Sequence, residues 1–264
     1  MLGQRIVTAL ILIALLGGLL YFVPRDAMWA VFAVIVALAG WEWSGMLKLT
    51  GPKRVLYGVG IFVGCAVVQL LLPALLLPLL ALSVLFWVIA VPFWLRSRSL
   101  LGSGFAGMAL GALLLMAGWA AMSALHLKSS WLLLLVMALV WVADVCAYFA
   151  GRAFGRHKLA PTISPGKTWE GVGGAIAGVL AYGAILLYSP WGHYWTGGLP
   201  LALILLVALT GISVVGDLLE SMIKRQAGVK DSSNLLPGHG GVLDRIDSLL
   251  STLPVAALVV SYSA

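Results

Sequence analysis

Most of the acidic side chains of this 264-residue chain lie in its C-terminal half, in a sequence that otherwise carries little charge. Seven of the nine acids fall there: Asp144, Glu170, Asp217, Glu220, Asp231, Asp244 and Asp247. Carboxylates without His or Cys partners are hard oxygen ligands, which select Mg²⁺ or Mn²⁺ over Zn²⁺. Mg²⁺ commonly shares its coordination with substrate phosphates, so these acids predict phosphate chemistry.

Polar side chains recur at helical spacing on both sides of one loop. On the upstream helix the positions i, i+3, i+4 and i+7 are Asp217, Glu220, Ser221 and Lys224. The downstream helix repeats this spacing with Asp244, Asp247, Ser248 and Ser251. Residues at these intervals form one stripe on a helix. We predict that the two stripes face each other and enclose an oxygen-rich pocket.

The cations around these stripes fit a polyphosphate substrate. Two metal ions in such a pocket can bridge the attacking and leaving oxygens of an in-line phosphoryl displacement. The alternative is that acids and bases merely neutralise one another in a solvated loop. Asp217 and Asp247 lie toward apolar helix and not out in the loop, which favours a site.

A glycine-rich run, Gly238-His239-Gly240-Gly241, lies in the loop between the stripes. Glycines allow backbone N–H groups to approach phosphate oxygens closely. His239 has three open interpretations: a phosphate donor, an acid for the leaving group, or a hydrogen-bonded part of the scaffold.

Composition places these residues in a membrane protein. The chain is 62% hydrophobic and only 9% charged, with mean hydropathy +1.09, whereas a soluble domain has about a quarter of its residues charged. The net charge of +7 could suggest nucleic acid. The basic residues, however, fall in short loops between apolar spans, where they act as orientation signals and contact anionic headgroups or phosphates. We therefore expect no nucleic-acid partner.

The apolar pattern predicts an all-α, polytopic integral membrane protein with about nine transmembrane helices. The predicted spans are residues 6–23, 27–46, two within 55–95 separated near Pro73, 103–125, 131–150, 172–189, 199–216 and 246–262. Residues 1–130 would supply about five helices. Residues 131–264 would form the catalytic region, with cytoplasmic loops at 151–171 and 221–245.

Orientation follows from the distribution of Lys and Arg. All of them except Arg25 and Lys128 fall at the N-terminus or in even-numbered loops. By the positive-inside rule the N-terminus and both polar loops are cytoplasmic. Glu42 is the only charge in its span, and we expect headgroup-level solvent to accommodate it without a role in the site.

Residues 221–247 resemble the signature of the phosphatidate cytidylyltransferases, the CDP-diacylglycerol synthases. The matching positions are Ser221-x-x-Lys224-Arg225-x4-Lys230-Asp231-x5-Pro237-x-His239-Gly240-Gly241-x-x-Asp244-Arg245-x-Asp247. Two upstream segments are similar to cytosolic loop segments of that family: Asp144-x-x-Ala147-Tyr148-x-x-Gly151-Arg152-x-Phe154-Gly155-Arg156 and Ser164-Pro165-x-Lys167-Thr168-x-Glu170-Gly171. The resemblance covers residues 140–250, and the N-terminal half matches only in being polytopic.

The resemblance implies that CTP and phosphatidic acid react to give CDP-diacylglycerol and pyrophosphate. Catalytic roles are implied for Asp144, Lys224, Arg225, Lys230, Asp231, His239 and Arg245. Contacts to nucleotide or phosphate are implied for Ser164, Lys167, Thr168, Glu170 and Ser221. Metal ligation is implied for Asp217, Glu220, Asp244 and Asp247, with Glu220 and also Asp144 in a supporting role. The implied cofactor is Mg²⁺, as two divalent ions or as one divalent and one monovalent ion.

The implied setting is the bacterial inner membrane, with the active site at the cytoplasmic face and membrane lipid around it; a homodimer stays open. CTP-using kinases of polyprenol or phytol type are the rival enzyme class. A transporter is disfavoured because the acids cluster at one membrane face and not at the midplane. We expect the lipid phosphate itself to attack CTP, because Ser221 has no adjacent His to activate it as a nucleophile.

Overall fold

The computed structural model describes residues 2–97, 100–101, 104–194 and 198–262. Its helices are α1 (Leu2–Phe22), α2 (Met28–Met46), α3 (Pro52–Leu71), α4 (Leu76–Leu85), α5 (Val91–Ser97), α6 (Phe105–Lys128), α7 (Ser130–Phe154), α8 (Trp169–Leu187), α9 (Gly198–Ala227) and α10 (Leu243–Tyr262). Two strands, β1 (Lys158–Ala160) and β2 (Ser164–Thr168), lie between α7 and α8. Short 3₁₀ turns cover Pro73–Leu75 and Pro190–Tyr194.

Seven segments of the described residues are long and apolar enough to cross a membrane. They are α2, α3, Pro73–Ser97, α6, α7, α8 and α9. A helical, polytopic membrane protein is therefore confirmed. The first and last predicted spans also lie in helices, α1 and α10, but the count of nine spans and the orientation of the N-terminus stay predictions.

The predicted break near Pro73 is confirmed. Helix α3 ends at Leu71, and a 3₁₀ turn and α4 follow. Proline has no backbone N–H and its ring disfavours helical geometry in the preceding residue, so a helix commonly ends there. A π-helical turn over Phe86–Ala90 joins α4 to α5 within the same apolar segment.

A small antiparallel hairpin interrupts the helical pattern between α7 and α8. Strands β1 and β2 pair with Lys158 opposite Thr168 and Ala160 opposite Ser164. The hairpin lies inside the predicted loop 151–171, of which α7 and α8 take the ends. Composition and periodicity gave no sign of strands this short. Because β2 pairs with β1, Ser164 and Lys167 lie on a hydrogen-bonded strand and not in an irregular loop.

Helix α10 lies at the centre of the bundle. It packs against α9, α6, α4, α7 and α2, and its middle is closed to solvent, with Ser251 and Thr252 fully buried. The loop before it is shorter than predicted, since α9 continues to Ala227 and α10 begins at Leu243. Residues 228–242 therefore form the connection that brings the polar ends of α9 and α10 together.

Candidate active site

The two predicted polar stripes meet at Lys224 of α9. Its Nζ lies 2.7 Å from Oδ1 of Asp244, at the start of α10, and 2.5 Å from Oε2 of Glu220, one turn earlier in α9. Only 11% of the Lys224 side chain, 5% of Glu220 and 4% of Asp244 are exposed. We call these three residues the Lys224 cluster. Removing one charge would leave another buried without compensation, so the cluster ties α9 to α10.

Asp244 is held from several directions. Its Oδ2 accepts hydrogen bonds from the backbone N–H of Gly241 at 2.7 Å and from Oγ of Ser232 at 3.0 Å. The Ser232 N–H also donates to it. Burial by itself would raise the pKa of Asp244, but the hydrogen bonds from Lys224, Gly241 and Ser232 outweigh burial and hold the pKa below its ordinary value of 3.8. Asp244 is therefore a fixed, ionised carboxylate.

The glycine-rich run shapes the loop that supplies these donors. Gly238 and Gly240 have φ of 75° and 81°, in the left-handed region that glycine adopts readily. The Leu236 N–H donates to the Gly240 carbonyl over 2.8 Å, which closes the turn. Because Gly241 N–H is bonded to Asp244, it serves the carboxylate in this arrangement and is not presented to a phosphate. His239 is half-buried, and its Nδ1 has no hydrogen-bond partner among the described residues.

A second group of charges lines a cavity, and we call Asp144, Lys167 and Asp217 the cavity cluster. Lys167 of β2 forms an ion pair with Asp217 of α9, and Oγ of Ser221 donates to Asp217 over 3.2 Å. The cavity measures about 410 Å³ and is bounded by α7, the hairpin, α8 and α9. Its lining includes five predicted site residues: Asp144, Ser164, Lys167, Thr168 and Asp217.

The rest of the cavity lining mixes apolar and cationic groups. Leu159, Val172 and Val214 contribute apolar surface, and Arg152 and Tyr148 also face the cavity. Nη1 of Arg152 donates to the Tyr148 hydroxyl over 2.9 Å. A cavity with this lining can accept a substrate that carries both an anionic group and an apolar part.

Asp247, in α10, belongs to neither cluster. It is close enough to interact electrostatically with Asp217 of the cavity cluster and with Lys224 of the Lys224 cluster. Its Oδ1 accepts the Ser248 N–H at 2.7 Å. The acids that the sequence assigned to one pocket therefore lie in two neighbouring places. Glu220 and Asp244 belong to the enclosed Lys224 cluster, and Asp217 belongs to the open cavity cluster.

Other predicted residues are exposed or have a structural partner, and Arg245 is close enough to Asp144 of the cavity cluster to interact with it electrostatically. Arg225, Lys230, Asp231 and Arg245 are exposed. Glu170 accepts from His157, with Nδ1 at 2.6 Å. Thr168 is buried, and its Oγ1 accepts the Gly171 N–H at 3.1 Å, which caps the N-terminus of α8. Their predicted roles in binding or catalysis stay predictions.

The predicted metal ligands are Asp217, Glu220, Asp244 and Asp247. All the candidate donors are oxygens, which suits Mg²⁺. Over the described residues, however, no three Asp, Glu, His or Cys side chains are grouped so that they could hold a metal ion. Lysines lie next to three of the four predicted ligands: Lys167 pairs with Asp217, and Lys224 pairs with Asp244 and Glu220. The donor chemistry fits Mg²⁺, whereas this arrangement does not assemble its ligands.

One residue close to the site was misjudged from sequence. Glu42 of α2 was expected to be solvated near the headgroups, and that expectation is wrong: its side chain is fully buried. Its carboxylate accepts backbone N–H groups at the start of α10 and hydroxyl groups of the 228–242 loop. The signal that could have revealed it is a lone carboxylate in an apolar span, which is costly unless it has partners.

Fold and site together define a polytopic membrane protein that carries a lysine- and carboxylate-lined cavity. Sequence comparison makes this more specific. A sequence model of the cytidylyltransferase family matches residues 3–263, and the chain belongs to that family.

Three relatives illustrate the similarity. A phosphatidate cytidylyltransferase of Pseudomonas aeruginosa is 43% identical over 270 residues, which cover 97% of this chain and 96% of the relative. One of Haemophilus influenzae is 40% identical over 283 residues, with 96% of each chain covered. One of Brucella suis is 48% identical over 132 residues, which cover 49% of this chain and 45% of the relative.

Proposed function

We propose that this chain is a phosphatidate cytidylyltransferase: it transfers the cytidylyl group of CTP to phosphatidic acid and releases pyrophosphate. The observation that carries this proposal is the similarity to relatives of that name over nearly the whole chain. The cavity agrees with it, because Lys167 and Arg152 offer cations to phosphate while apolar side chains lie alongside.

The chemistry asks for positioning and charge neutralisation. An oxygen of the lipid phosphate forms a bond to the α-phosphorus of CTP as the bond from that phosphorus to the pyrophosphate oxygen breaks. The nucleophile is already an anion, so no strong general base is needed. Phosphoryl-type transfers depend mainly on orientation and on electrostatic stabilisation of the transition state. Lys167 is the best-placed cation, since its present partner Asp217 is also in the cavity and a substrate phosphate can compete for it.

Mg²⁺ is proposed as the cofactor. Asp217 and Asp247 would hold it, and the bound ion would neutralise charge on the triphosphate. Titrating Mg²⁺ into chelator-stripped enzyme tests this, with turnover expected to fall to background in the stripped state. Asp217→Asn should need a higher Mg²⁺ concentration for half-maximal turnover, whereas Lys53→Met, an exposed substitution on α3, should not. Full turnover in excess chelator would contradict the proposal.

We also propose that both clusters lie at the cytoplasmic face of the bacterial inner membrane, on the basis of the Lys and Arg distribution. Single cysteines at the exposed positions Arg156 and Asn234, in a background without Cys65 and Cys146, provide the test. In intact cells a membrane-impermeant thiol reagent should label neither, and in inverted vesicles it should label both. Native mass spectrometry in detergent would measure whether the protein forms a homodimer.

Purified protein with labelled CTP and several lipid acceptors tests the function itself. Phosphatidic acid should give pyrophosphate together with cytidine attached to lipid. A CTP-using lipid kinase would instead give CDP and a phosphorylated lipid. Product formation from a lipid alcohol but not from phosphatidic acid would overturn the proposal.

The stereochemistry of the reaction tests the nucleophile. A single in-line displacement inverts configuration at the α-phosphorus, whereas two successive displacements through a covalent enzyme intermediate retain it. CTP made chiral by sulfur at that phosphorus should give inversion. Retention, or exchange between CTP and pyrophosphate without lipid, would make Ser221 a candidate nucleophile again.

A further inference from the structure

Glu42 connects α2, in the N-terminal half of the chain, to the loop that carries Asp244. Its Oε1 accepts the Val242 N–H at 2.9 Å and the Ser233 hydroxyl at 2.6 Å. Its Oε2 accepts the Leu243 N–H at 2.6 Å and the Ser232 hydroxyl at 3.1 Å. Two N–H groups and two hydroxyls therefore surround one fully buried carboxylate, and the single proton of the Ser232 hydroxyl is shared between Glu42 and Asp244.

Two of these donors are N–H groups at the beginning of α10. The first N–H groups of a helix have no partner within the helix, and negative charge is favourable there because of the helix dipole. A buried carboxylate needs such donors, because their hydrogen bonds replace the hydration that the charge loses on burial. Glu42 thus fixes where α10 begins by supplying the acceptor from another helix.

The same contacts lead to Asp244. Oγ of Ser232 lies 3.1 Å from Glu42 Oε2 and 3.0 Å from Asp244 Oδ2, between the two carboxylates. Gly241, whose N–H bonds to Asp244, packs so closely that a Cβ there would lie 2.5 Å from Glu42 Oε1. Asp244 in turn bonds to Lys224.

We propose that Glu42 is a positioning residue for cytidylyl transfer: it fixes Ser232 and the start of α10, and through them the orientation of Asp244 and Lys224. Glu42 itself does not touch substrate. The inference rests on the proposed function, because it assigns Glu42 to that reaction. Asp244 and Lys224 tie the start of α10 to α9, the helix that also carries Asp217 of the cavity cluster. Misplacement of a reacting group by about 1 Å can cost on the order of a hundredfold in rate.

The main test is Glu42→Gln. It preserves shape but replaces one acceptor oxygen by an NH₂ group that faces donors, so the loop must shift. We expect kcat to fall about ten- to a hundredfold, with the KM for CTP changed much less. The matched control is Ser44→Ala, a buried serine of the same helix whose hydroxyl donates to the Trp41 carbonyl at 2.8 Å and not to the loop. It should keep wild-type kcat.

A double-mutant cycle separates positioning from general stability. Ser232→Ala and Glu42→Gln act on one path, so the double variant should lose about as much kcat as the more severe single variant. A merely structural effect would lower the amount of folded enzyme and leave kcat per folded molecule near the wild-type value, whereas independent effects on kcat would multiply. All rates are expressed per folded molecule, measured by size-exclusion chromatography in detergent.

Ser233→Ala covers the case in which Glu42→Gln does not fold. It removes one of the four donors and leaves the carboxylate in place, and we expect a two- to tenfold fall in kcat, the equivalent of about one hydrogen bond. Wild-type kcat in folded Glu42→Gln or in Ser233→Ala, or multiplying losses in the cycle, would overturn the inference. A wild-type enzyme inactive on phosphatidic acid would instead overturn the proposed function, since every result here is a ratio to wild type.

Discussion

The Lys224 cluster and the cavity cluster contain the same kinds of side chain in opposite surroundings. In the Lys224 cluster, Lys224 and Asp244 are only 11% and 4% exposed. In the cavity cluster, Lys167 and Asp217 are 23% and 30% exposed. A buried ion pair cannot change partners without leaving a charge uncompensated, whereas a pair at a cavity wall can exchange its partner for a ligand. We therefore expect the Lys224 cluster to hold α9 and α10 together and the cavity cluster to contact substrate.

The largest effect should come from Lys224→Met. It leaves Glu220 and Asp244 facing each other without a cation, and breaking a buried pair in this way costs about 3–5 kcal/mol. We expect the temperature of unfolding in detergent to fall steeply and turnover to be lost. Lys53→Met, at an exposed lysine outside both clusters, is the control. A stable but inactive Lys224→Met protein would show that Lys224 acts on substrate and is not needed to hold α9 and α10 together.

Lys167→Met should separate activity from stability. The Lys167–Asp217 pair is partly exposed, and such pairs contribute at most about 1 kcal/mol to folding, so the unfolding temperature should hardly change. Loss of a cation that neutralises the transition state should lower kcat/KM by about a hundredfold or more. Steady-state kinetics and thermal unfolding of the same preparation measure both. If unfolding shifts as much as for Lys224→Met, the two clusters do not differ in the way described.

Acid should act on the Lys224 cluster through Asp244. Its pKa is held below 3.8 in the folded protein, so its ionised form stabilises the fold above the unfolded-state pKa. That contribution is lost as pH falls below 3.8 and through the lower folded-state value. Unfolding temperatures between pH 6 and pH 3 should decline in the wild type and decline less in Asp244→Asn. Equal declines would mean that other carboxyl groups carry the acid sensitivity.

The smallest expected effect concerns Thr168, at the edge of the cavity. Losing its cap of α8 in Thr168→Ala should cost about 1 kcal/mol of stability, and Thr168→Ser should retain the bond and the stability. Both should leave the KM for CTP near the wild-type value. A large rise in that KM for Thr168→Ala alone would restore the nucleotide contact implied by the family resemblance.

Helical spacing was enough to predict that Asp217 and Lys224 share a stripe and that the next helix faces it. This worked because charges in an apolar chain have few places to be buried, and i, i+3, i+4 geometry is local. The break at Pro73 was predictable for the same reason, as a local backbone constraint.

The contacts that sequence could not supply are those set by tertiary packing. The pairing of Lys167 with Asp217 depends on a hairpin too short to show a strand period. Glu42 meets Leu243 across 201 positions of sequence. Neither contact joins residues at a helical or strand spacing, so the sequence pattern does not reveal it. The division of the acids into an enclosed and an open group depends on which helices cover them.

Because Glu42 of α2 bonds to the start of α10, the two halves of the chain are not independent of each other. Residues 131–264 carry both clusters, so one would expect this half to form the site by itself. A fragment beginning at residue 131 would nevertheless leave the N–H groups of Val242 and Leu243 and the hydroxyl of Ser233 without their acceptor. Supplying α2 on a separate polypeptide would restore it only if that helix inserts beside α10. The N-terminal half of the chain thus contributes to the structure of the site as well as to the membrane-embedded bundle.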